Sequence, residues 1–394
     1  MCTYKVVNVG QGDCMIIDPD EGCTYQGEKI IIDLGSGDRD ITELLSDDDR
    51  LHIFITHSHK DHLGGLRYLI GKFDQIEEIT VPLYQNEIIL IAKAILNLKG
   101  ISTSVDCKDF IDNLNDIVNY QSILIQQIRN QKATPILSFA YEGKRYCNHL
   151  ECLNPPLTVN SCDILNSSND SALRNLMYDL FTESFARDME IYLHAQMHED
   201  YNNSNAPFFH DFWLMTSEND NFESSVYISK CNFVLNFFID NLELLKMFNV
   251  NSNRKNLRKI HSRYIKSSHD VCTVLRSDYS GITMLHTGDA SKNVFYRLLE
   301  EGKDISASCL KMPHHGSKNN MNKRILNNID PEVAIISHNN KQFGKAKDKH
   351  PHKEILNMLL ERKIRVVVTN DVVREDITIM KSSPCDEFDC IKIL

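Results

Sequence analysis

Short, mainly apolar runs separated by turn residues mark the first part of the chain. Lys29–Asp33 and Leu51–Thr56 are nearly continuous in Ile, Leu and Phe, which is typical of strands buried on both faces. A helical pattern begins at Gly64-Gly65. The pattern predicts strands at Lys5–Val9, Met15–Asp18, Lys29–Asp33, Leu51–Thr56 and Ile76–Val81, and so an α/β arrangement over residues 1–84.

The pattern changes over residues 85–265. Apolar residues recur there at helical spacing, and Asn-, Ser- and Asp-rich loops separate the periodic segments. Helices are predicted at Ile88–Leu98, Phe110–Ile128, Leu173–His194 and Phe233–Val250, with a few strands near Val226–Leu235. We therefore predict a large, mostly helical insertion.

The first pattern returns over residues 266–394. Strands are predicted at Val271–Leu275, Ile282–Leu285, Ser308–Met312, Val333–Ser337, Arg365–Thr369 and Asp376–Met380, and helices at Asn293–Glu301 and Lys353–Arg362. Residues 1–84 and 266–394 are therefore predicted to be two halves of one domain, split by the insertion at residues 85–265.

Composition narrows the class of protein. The 394 residues have a formal charge of −11, with 54 acidic residues against 43 basic ones, so a global basic footprint for nucleic acid is absent. The 12 cysteines show no Cys-x-x-Cys pair, which indicates free thiols in a reducing compartment. The longest apolar stretch, near Ile88–Leu96, contains Lys93 and is too short for a membrane span. We expect a cytoplasmic protein without a membrane partner.

The segment after the strand Leu51–Thr56 contains the strongest chemical signal. Three imidazoles and one carboxylate lie within six residues: His57, His59, Asp61 and His62. The alternation places His57 and His59 on one side of the loop, and Asp61 with His62 on the other. Imidazole and carboxylate ligands suit zinc, manganese or iron. The loop is therefore predicted to supply two pairs of metal ligands.

Two later strands also end in residues of ligand type. Asp289 follows the strand Ile282–Leu285, and His314-His315 follows the strand Ser308–Met312. Strand ends of this kind can line one cleft, so these residues are candidates to complete the metal sites.

These motifs resemble a known family. The loop from His57 to His62 looks like the signature of the metallo-β-lactamase fold, and Asp33-Leu34-Gly35 resembles that fold's early Asp-x-Gly. Further segments are similar to the metallohydrolase domain of the DNA-uptake protein ComEC and its stand-alone relatives: Val9-Gly10-Gln11-Gly12-Asp13, Thr287-Gly288-Asp289, Pro313-His314-His315-Gly316-Ser317 and His350-Pro351. The resemblance implies an αββα four-layer sandwich with a two-metal cleft, here with the helical insertion.

The resemblance also implies ligand roles. His57 and His59 would bind a first metal ion, Asp61 and His62 would bind a second, and Asp289 would bridge the two. Two divalent ions, zinc or manganese, are the cofactors expected.

One ligand of each metal is less well defined. His315 is favoured over His314 to close the second site, which leaves His314 to face the substrate. The superfamily often supplies a third histidine to the first metal, whereas ComEC-type proteins often lack it. His269 is the candidate, and His261 and His286 are its rivals.

The expected activity is that of a dinuclear metal-dependent hydrolase, with a phosphodiesterase or nuclease that uses a metal-bridging hydroxide as the favoured type. A bridging carboxylate in place of a thiolate resembles the phosphodiesterase and thioesterase branches. Asp61 is expected to contribute to catalysis, His350 or His314 to act as general acid, and Lys318 to contact phosphate.

Other hypotheses remain open. A small-molecule hydrolase acting on a cyclic nucleotide, lactone or thioester would use the insertion as a lid, and a component of a bacterial defence system would use it to dock a protein partner. A nucleic acid or nucleotide is the expected substrate. Basic residues at Asn253–Lys266 and a lysine-rich loop hint at a local groove for it. A solvated surface explains the loop equally well, and a solvated helix face is the favoured interpretation of Asn253–Lys266; the loop lysines are Lys341, Lys345, Lys347 and Lys349.

Overall fold

The computed structural model describes residues 2–96, 111–112, 114–119, 136–160, 224–250, 254–339, 350–374, 377–383 and 390–392. The chain divides into two compact units. The first contains residues 1–85, 120–156 and 268–394, and the second contains residues 86–119 and 157–267.

The first unit is built on two large β-sheets. Its strands are β1 (Thr3–Val7), β2 (Met15–Asp18), β3 (Lys29–Ile32), β4 (Leu51–Phe54), β5 (Ile76–Pro82), β6 (Ile136–Ala140), β7 (Arg145–Cys147), β8 (Leu150–Asn154), β9 (Val274–Tyr279), β10 (Ile282–His286), β11 (Cys309–Lys311), β12 (Val333–Ile336), β13 (Arg365–Val368), β14 (Val372–Arg374), β15 (Ile377–Ile379) and β16 (Cys390–Lys392). Within the described residues, one sheet has the order β16-β1-β2-β3-β4-β5-β6 and the other β13-β12-β11-β10-β9-β8-β7, and β14 pairs with β15.

The helices are shorter in the first unit than in the second. The first unit has α1 (Lys60–Leu63), α2 (Leu66–Leu69), α6 (Lys292–Glu300), α7 (Lys323–Ile329) and α8 (Lys353–Glu361). The other helices are α3 (Gln85–Leu96), α4 (Ser224–Val250) and α5 (Arg254–Asp270), and the described residues 111–112 and 114–119 are helical as well. None of these helices combines the length and the hydropathy that crossing a bilayer requires.

The two sheets pack face to face. Tyr4 and Phe54 of one sheet share a buried cluster with Leu275 and Met284 of the other. The Tyr4 hydroxyl also lies 3.0 Å from the Ser277 Oγ across the sandwich. Because apolar side chains from both inner faces meet there, their burial is the main stabilising term of this layer.

Helices cover the outer face of the second sheet. Leu285 and Leu310 of that sheet lie in a second buried cluster with Phe295 of α6, Ile325 of α7 and Leu359 of α8. The first sheet is buried on both faces too, since Ile30, Ile31 and Ile32 of β3 are at most 5 % exposed. The fold is therefore the αββα sandwich that the resemblance implies.

One part of the predicted domain organisation is wrong. The segment 85–265 is not a single insertion, because β6 pairs with β5 in the first sheet and β8 pairs with β9 in the second. The run Ile136–Ala140 is too short to distinguish a strand from a helix by periodicity, and its partner is distant in sequence. The predicted bounds 1–84 and 266–394 therefore omit three strands of the sandwich.

The strands predicted near Val226–Leu235 are also wrong, since these residues lie inside α4. β-branched residues and aromatics raise the strand propensity of that stretch, but the long helix overrides it. The predicted helix Leu173–His194 lies outside the described residues, and most of Phe110–Ile128 does too. The mostly helical character of the insertion stays a prediction.

Gly65 permits the close approach of two loops. A Cβ atom at Gly65 would lie 2.1 Å from the Leu34 carbonyl oxygen, and one at Gly64 would lie 2.2 Å from the Ser36 carbonyl oxygen. The Gly65 amide donates to the Gly35 carbonyl at 3.2 Å. The two glycines thus hold the loop before α2 directly against the end of β3.

We expect Gly65→Ala to lower the free energy of unfolding by about 1–3 kcal/mol, because a methyl group there must push two backbone segments apart. Gly71→Ala is the matched control, since a Cβ at Gly71 meets no atom within 4 Å. Urea unfolding of both variants measures the difference. Equal midpoints for the two variants would contradict the close-packing account.

Candidate metal centre

The histidine loop begins where β4 ends and runs into α1. His57, His59 and His62 are 1 %, 7 % and 0 % exposed. The backbone of this loop is held on two sides, because the His62 carbonyl accepts from the Leu34 amide at 2.8 Å and the Asp61 carbonyl accepts from the Asp13 amide at 3.1 Å. The cluster is therefore a fixed, buried structure rather than a solvated loop.

Three groups of possible metal ligands meet at this loop, and the third, Asp13, Asp33 and His62, shares His62 with the second. In each group, one ligand atom from every member lies within 4.8 Å of the others. The first group consists of His57, His59, His269 and Asp289, and the second consists of Asp61, His62 and His315. These are the seven residues that the sequence analysis nominated as ligands.

Asp289 lies between the groups. Its Oδ2 is 3.6 Å from the His57 Nε2 and 3.5 Å from the His269 Nε2, whereas its Oδ1 is 3.3 Å from the His62 Nε2. A tetrahedral cation with bonds of about 2.1 Å holds neighbouring ligand atoms about 3.4 Å apart. The two oxygens of Asp289 thus face different groups at separations that suit a shared, bridging ligand.

The polar atoms at the centre have no hydrogen-bond partners. The buried Nε2 atoms of His57, His59, His62 and His269 and the Oδ1 of Asp289 are all unpaired. Leaving a buried polar atom unpaired costs about 1–3 kcal/mol, and here five such atoms point toward one another. Divalent cations accept this set of nitrogen and oxygen donors, so the residues present fit metal binding.

His269 lies in the last turn of α5, beside the first group. Its ring centroid is 5.5 Å from that of His57 and 5.2 Å from that of His59. Its rivals lie elsewhere: the His286 Nε2 is 3.0 Å from the Ser277 Oγ, and His261 belongs to the second unit.

A buried carboxylate orients His62. The Asp33 Oδ2 lies 2.7 Å from the His62 Nδ1, and the amide and hydroxyl of Thr56 both donate to Asp33 at 2.7 Å. This pairing fixes the His62 ring with Nε2 toward Asp289. The sequence analysis noted Asp33 as part of a motif but assigned it no role, since its partner is 29 residues away.

A second buried carboxylate supports His315. The His315 Nδ1 donates to the Ser337 carbonyl at 2.9 Å and lies 3.4 Å from the Asp13 Oδ1, and its Nε2 lies 3.1 Å from the Asp61 Oδ2. Asp13 is in turn paired with the buried ammonium of Lys311 at 2.6 Å. Asp13 was noted from the sequence only as part of the segment Val9–Asp13, without a role, and Lys311 was not identified.

The turn at His314-His315 separates the two side chains. Both residues have left-handed backbones, with φ of 48° and 53°. As a result, His315 joins the second group while the His314 Nε2 lies 3.7 Å from the Asp289 Oδ2. The His314 side chain is 20 % exposed, the largest exposed fraction among the residues that contact Asp289 in the described structure.

Burial and neighbouring charges shift the histidine pKa values in opposite directions in the two groups. Burial lowers the pKa of His59 to about 4 and also lowers the pKa of His57 and His269. Burial opposes the charged form of His62 as well, but Asp289 and Asp33 outweigh it and raise the pKa of His62 well above its usual range. Neutral imidazoles therefore dominate the first group, and charge pairs dominate the second.

Cys272 is a further residue that sequence reasoning missed. Its Sγ accepts from the Asp289 amide at 3.3 Å and lies 3.9 Å from the His57 Nδ1. Burial raises the pKa of this thiol, so it stays protonated. Cys272 thus packs behind the ligands and helps to fix the Asp289 backbone.

The remaining predicted residues lie around His314. His350 is buried and its ring centroid is 4.9 Å from that of His314. Lys318 is half-exposed and its Nζ binds the Glu354 carboxylate at 2.8 Å. The lysine-rich loop with Lys341, Lys345, Lys347 and Lys349 lies outside the described residues.

Comparison with known proteins agrees with this geometry. Residues 7–82 match the model of the metallo-beta-lactamase superfamily. The chain is also 31 % identical over 106 residues to ComE operon protein 3 of Bacillus subtilis (strain 168), a match that covers 26 % of this chain and 13 % of that protein. The resemblance found in the sequence is confirmed, and it indicates a metal-dependent hydrolase domain.

We expect Asp33→Ala to weaken the binding of one divalent cation by about 10–100-fold, because the His62 ring loses the carboxylate that orients it. The cation in the first group should be retained. Competition with a chromogenic chelator measures both affinities, and Asp304→Ala, at a carboxylate that is 65 % exposed, is the control. Equal affinities in both variants would show that Asp33 has no such role.

Proposed function

We propose that this chain is a phosphodiesterase that uses two divalent cations. It contains a metallo-β-lactamase-fold domain similar to that of ComEC-type proteins. The observation that supports the proposal best is the position of Asp289, whose Oδ2 faces His57 and His269 while its Oδ1 faces His62. One carboxylate shared by two ligand groups is an arrangement suited to a pair of cations.

The ligand residues divide into two sets around Asp289. His57, His59 and His269 would hold one cation, and Asp61, His62 and His315 would hold the other. When bound, such a pair of cations supplies Lewis acidity toward a phosphoryl oxygen and lowers the pKa of water. Asp33 and Asp13 keep the rings of His62 and His315 in place for that purpose.

His314 is the residue best placed to give a proton to the leaving group. The Asn320 amide nitrogen donates to the carbonyls of Asp289 and Ala290, which turns the Asn320 Oδ1 toward the His314 Nδ1 at 3.2 Å. With Nδ1–H directed at that oxygen, Nε2 is the atom from which the protonated His314 ring would give up a proton. His314 is also more exposed than His350, so a substrate can reach it.

The phosphodiester bond is favoured over other esters by the ComEC-like segments of the sequence. Lys318, proposed as a phosphate contact, binds Glu354 and would have to exchange that partner for a phosphate oxygen. We therefore assign the proton transfer to His314 and keep Lys318 as a secondary contact.

We expect Asp61→Ala combined with His62→Ala to reduce hydrolysis to the uncatalysed rate, since the second group loses two of its three ligands. The assays use bis-p-nitrophenyl phosphate and labelled single- and double-stranded DNA and RNA, each with Mn²⁺, Zn²⁺ or Mg²⁺. Asp304→Ala combined with His149→Ala removes the same residue types from one exposed and one partly exposed position outside the ligand groups, and serves as control.

Full activity in the Asp61/His62 double variant would refute the two-cation mechanism. Cleavage of the small diester alone would indicate a small-molecule phosphodiesterase. Hydrolysis of thioesters or lactones alone would overturn the assignment to phosphodiester bonds.

We expect His314→Ala to slow cleavage of a polynucleotide by about 10²–10⁴-fold, because its alkoxide leaving group needs a proton. Cleavage of bis-p-nitrophenyl phosphate should slow far less, since p-nitrophenolate departs without one. The measurement is kcat for both substrates. The same split in His350→Ala, and not in His314→Ala, would assign the proton transfer to His350 instead.

A further inference from the structure

Helix α5 of the second unit has two sharply different faces. Leu257, Ile260 and Tyr264 are 4 %, 0 % and 0 % exposed, so one face is packed inside the protein. The opposite face is exposed and cationic. It contains Lys255, Arg258, Lys259 and Lys266, which we call the basic face.

The basic face is continuous along the helix. At 100° per residue, its four cations fall within an arc of about 100°. At 1.5 Å per residue, they extend over about 16 Å of the helix axis. The exposed Ser262 lies between them, and it lines a shallow hollow together with Lys255, Arg258 and Lys259.

These cations lack the partners that surface cations elsewhere in the chain have. Lys303, Lys323 and Arg362 each bind a carboxylate within 3 Å. In the described part of the chain, no carboxylate lies within ion-pair distance of Lys255, Arg258, Lys259 or Lys266, and Arg263 instead donates to the Asp240 carbonyl and the Asn241 side chain. Like charges one helical turn apart repel, so an anion on this face would stabilise it.

We propose that the basic face binds the phosphate backbone of a nucleic-acid strand; this inference rests on the proposed phosphodiesterase function and identifies a polynucleotide as its substrate. A length of about 16 Å accommodates about five phosphates at a rise of 3.4 Å each. A single small anion would occupy only part of it.

The other face of α5 distinguishes a nucleic acid from a membrane. Helices that lie on membranes insert an apolar face among the lipids. The apolar face of α5 is buried, so only the cations are available to a partner. The partner that matches an extended row of cations without apolar contacts is a polyanion. Because the chain as a whole has a net charge of −11, a polyanion would be attracted to this local row of cations and repelled by most of the remaining surface.

The experiment compares two variants of the full chain that each lose three lysines and one arginine. The test variant is Lys255→Ala, Arg258→Ala, Lys259→Ala and Lys266→Ala. The control variant is Lys303→Ala, Lys323→Ala, Arg324→Ala and Lys363→Ala, at exposed positions of the first unit. Fluorescence anisotropy with a labelled 20-nucleotide oligothymidylate measures affinity at several salt concentrations, in EDTA so that the strand stays intact. Circular dichroism checks that both variants fold.

We expect the test variant to bind at least tenfold more weakly than the control at 0.1 M salt. Its plot of log affinity against log salt should be shallower by about 3, since each phosphate contact on a single strand contributes about 0.7 to the slope. Equal affinities and slopes in the two variants would overturn the inference. So would binding of the wild-type chain to phosphatidylserine vesicles but not to the oligonucleotide.

The test of the basic face is independent of the test of the phosphodiesterase activity. Metal-dependent hydrolysis of bis-p-nitrophenyl phosphate reports on the metal centre alone. If both variants hydrolyse the diester and bind the oligonucleotide equally, the basic face is not the nucleic-acid site, but the phosphodiesterase proposal still holds. If the test variant loses salt-dependent binding and no protein hydrolyses the diester, the phosphodiesterase proposal is wrong, but the basic face still binds nucleic acid.

Discussion

The carboxylate of Asp289 is the one group that both sets of ligands share, and the rest of the site is arranged around it. Four buried imidazole nitrogens and one of its own oxygens have no other partner. The Nε2 atoms of His57, His62 and His269 lie 3.3–3.6 Å from the Asp289 oxygens, and buried polar atoms without hydrogen bonds cost free energy that bound cations would recover. The site is therefore built to gain free energy from metal binding, and metal binding stabilises only the folded state.

The sandwich supplies the positions that this arrangement needs. β4, β10 and β11 end at the same place, and each is followed at once by ligand residues. β10 and β11 run parallel, so their carboxyl ends lie side by side. Behind the ligands, Asp33 and Asp13 are themselves held by Thr56 and Lys311. Removing Asp33 would leave the His62 ring free to turn, which connects the packing of the fold directly to metal affinity.

The candidate ligands could be found from sequence because their signals are local. A strand ending in His or Asp is visible in a few residues, as at His57 and Asp289. The roles of Asp33 and Lys311 could not be found, because each depends on a partner far away in the chain. His269 had rivals for the same reason, and only the folded positions separate it from His286. The strands β6 and β8 were missed because short apolar runs do not show their pairing partners.

Crystals soaked in Mn²⁺ or Zn²⁺ test most directly whether Asp289 is shared by two cations. An anomalous difference map should show two peaks, one beside His57, His59 and His269 and one beside Asp61, His62 and His315. One oxygen of Asp289 should lie within bonding distance of each peak. A single peak, or two peaks of which only one contacts Asp289, would contradict the shared carboxylate and with it the two-cation site.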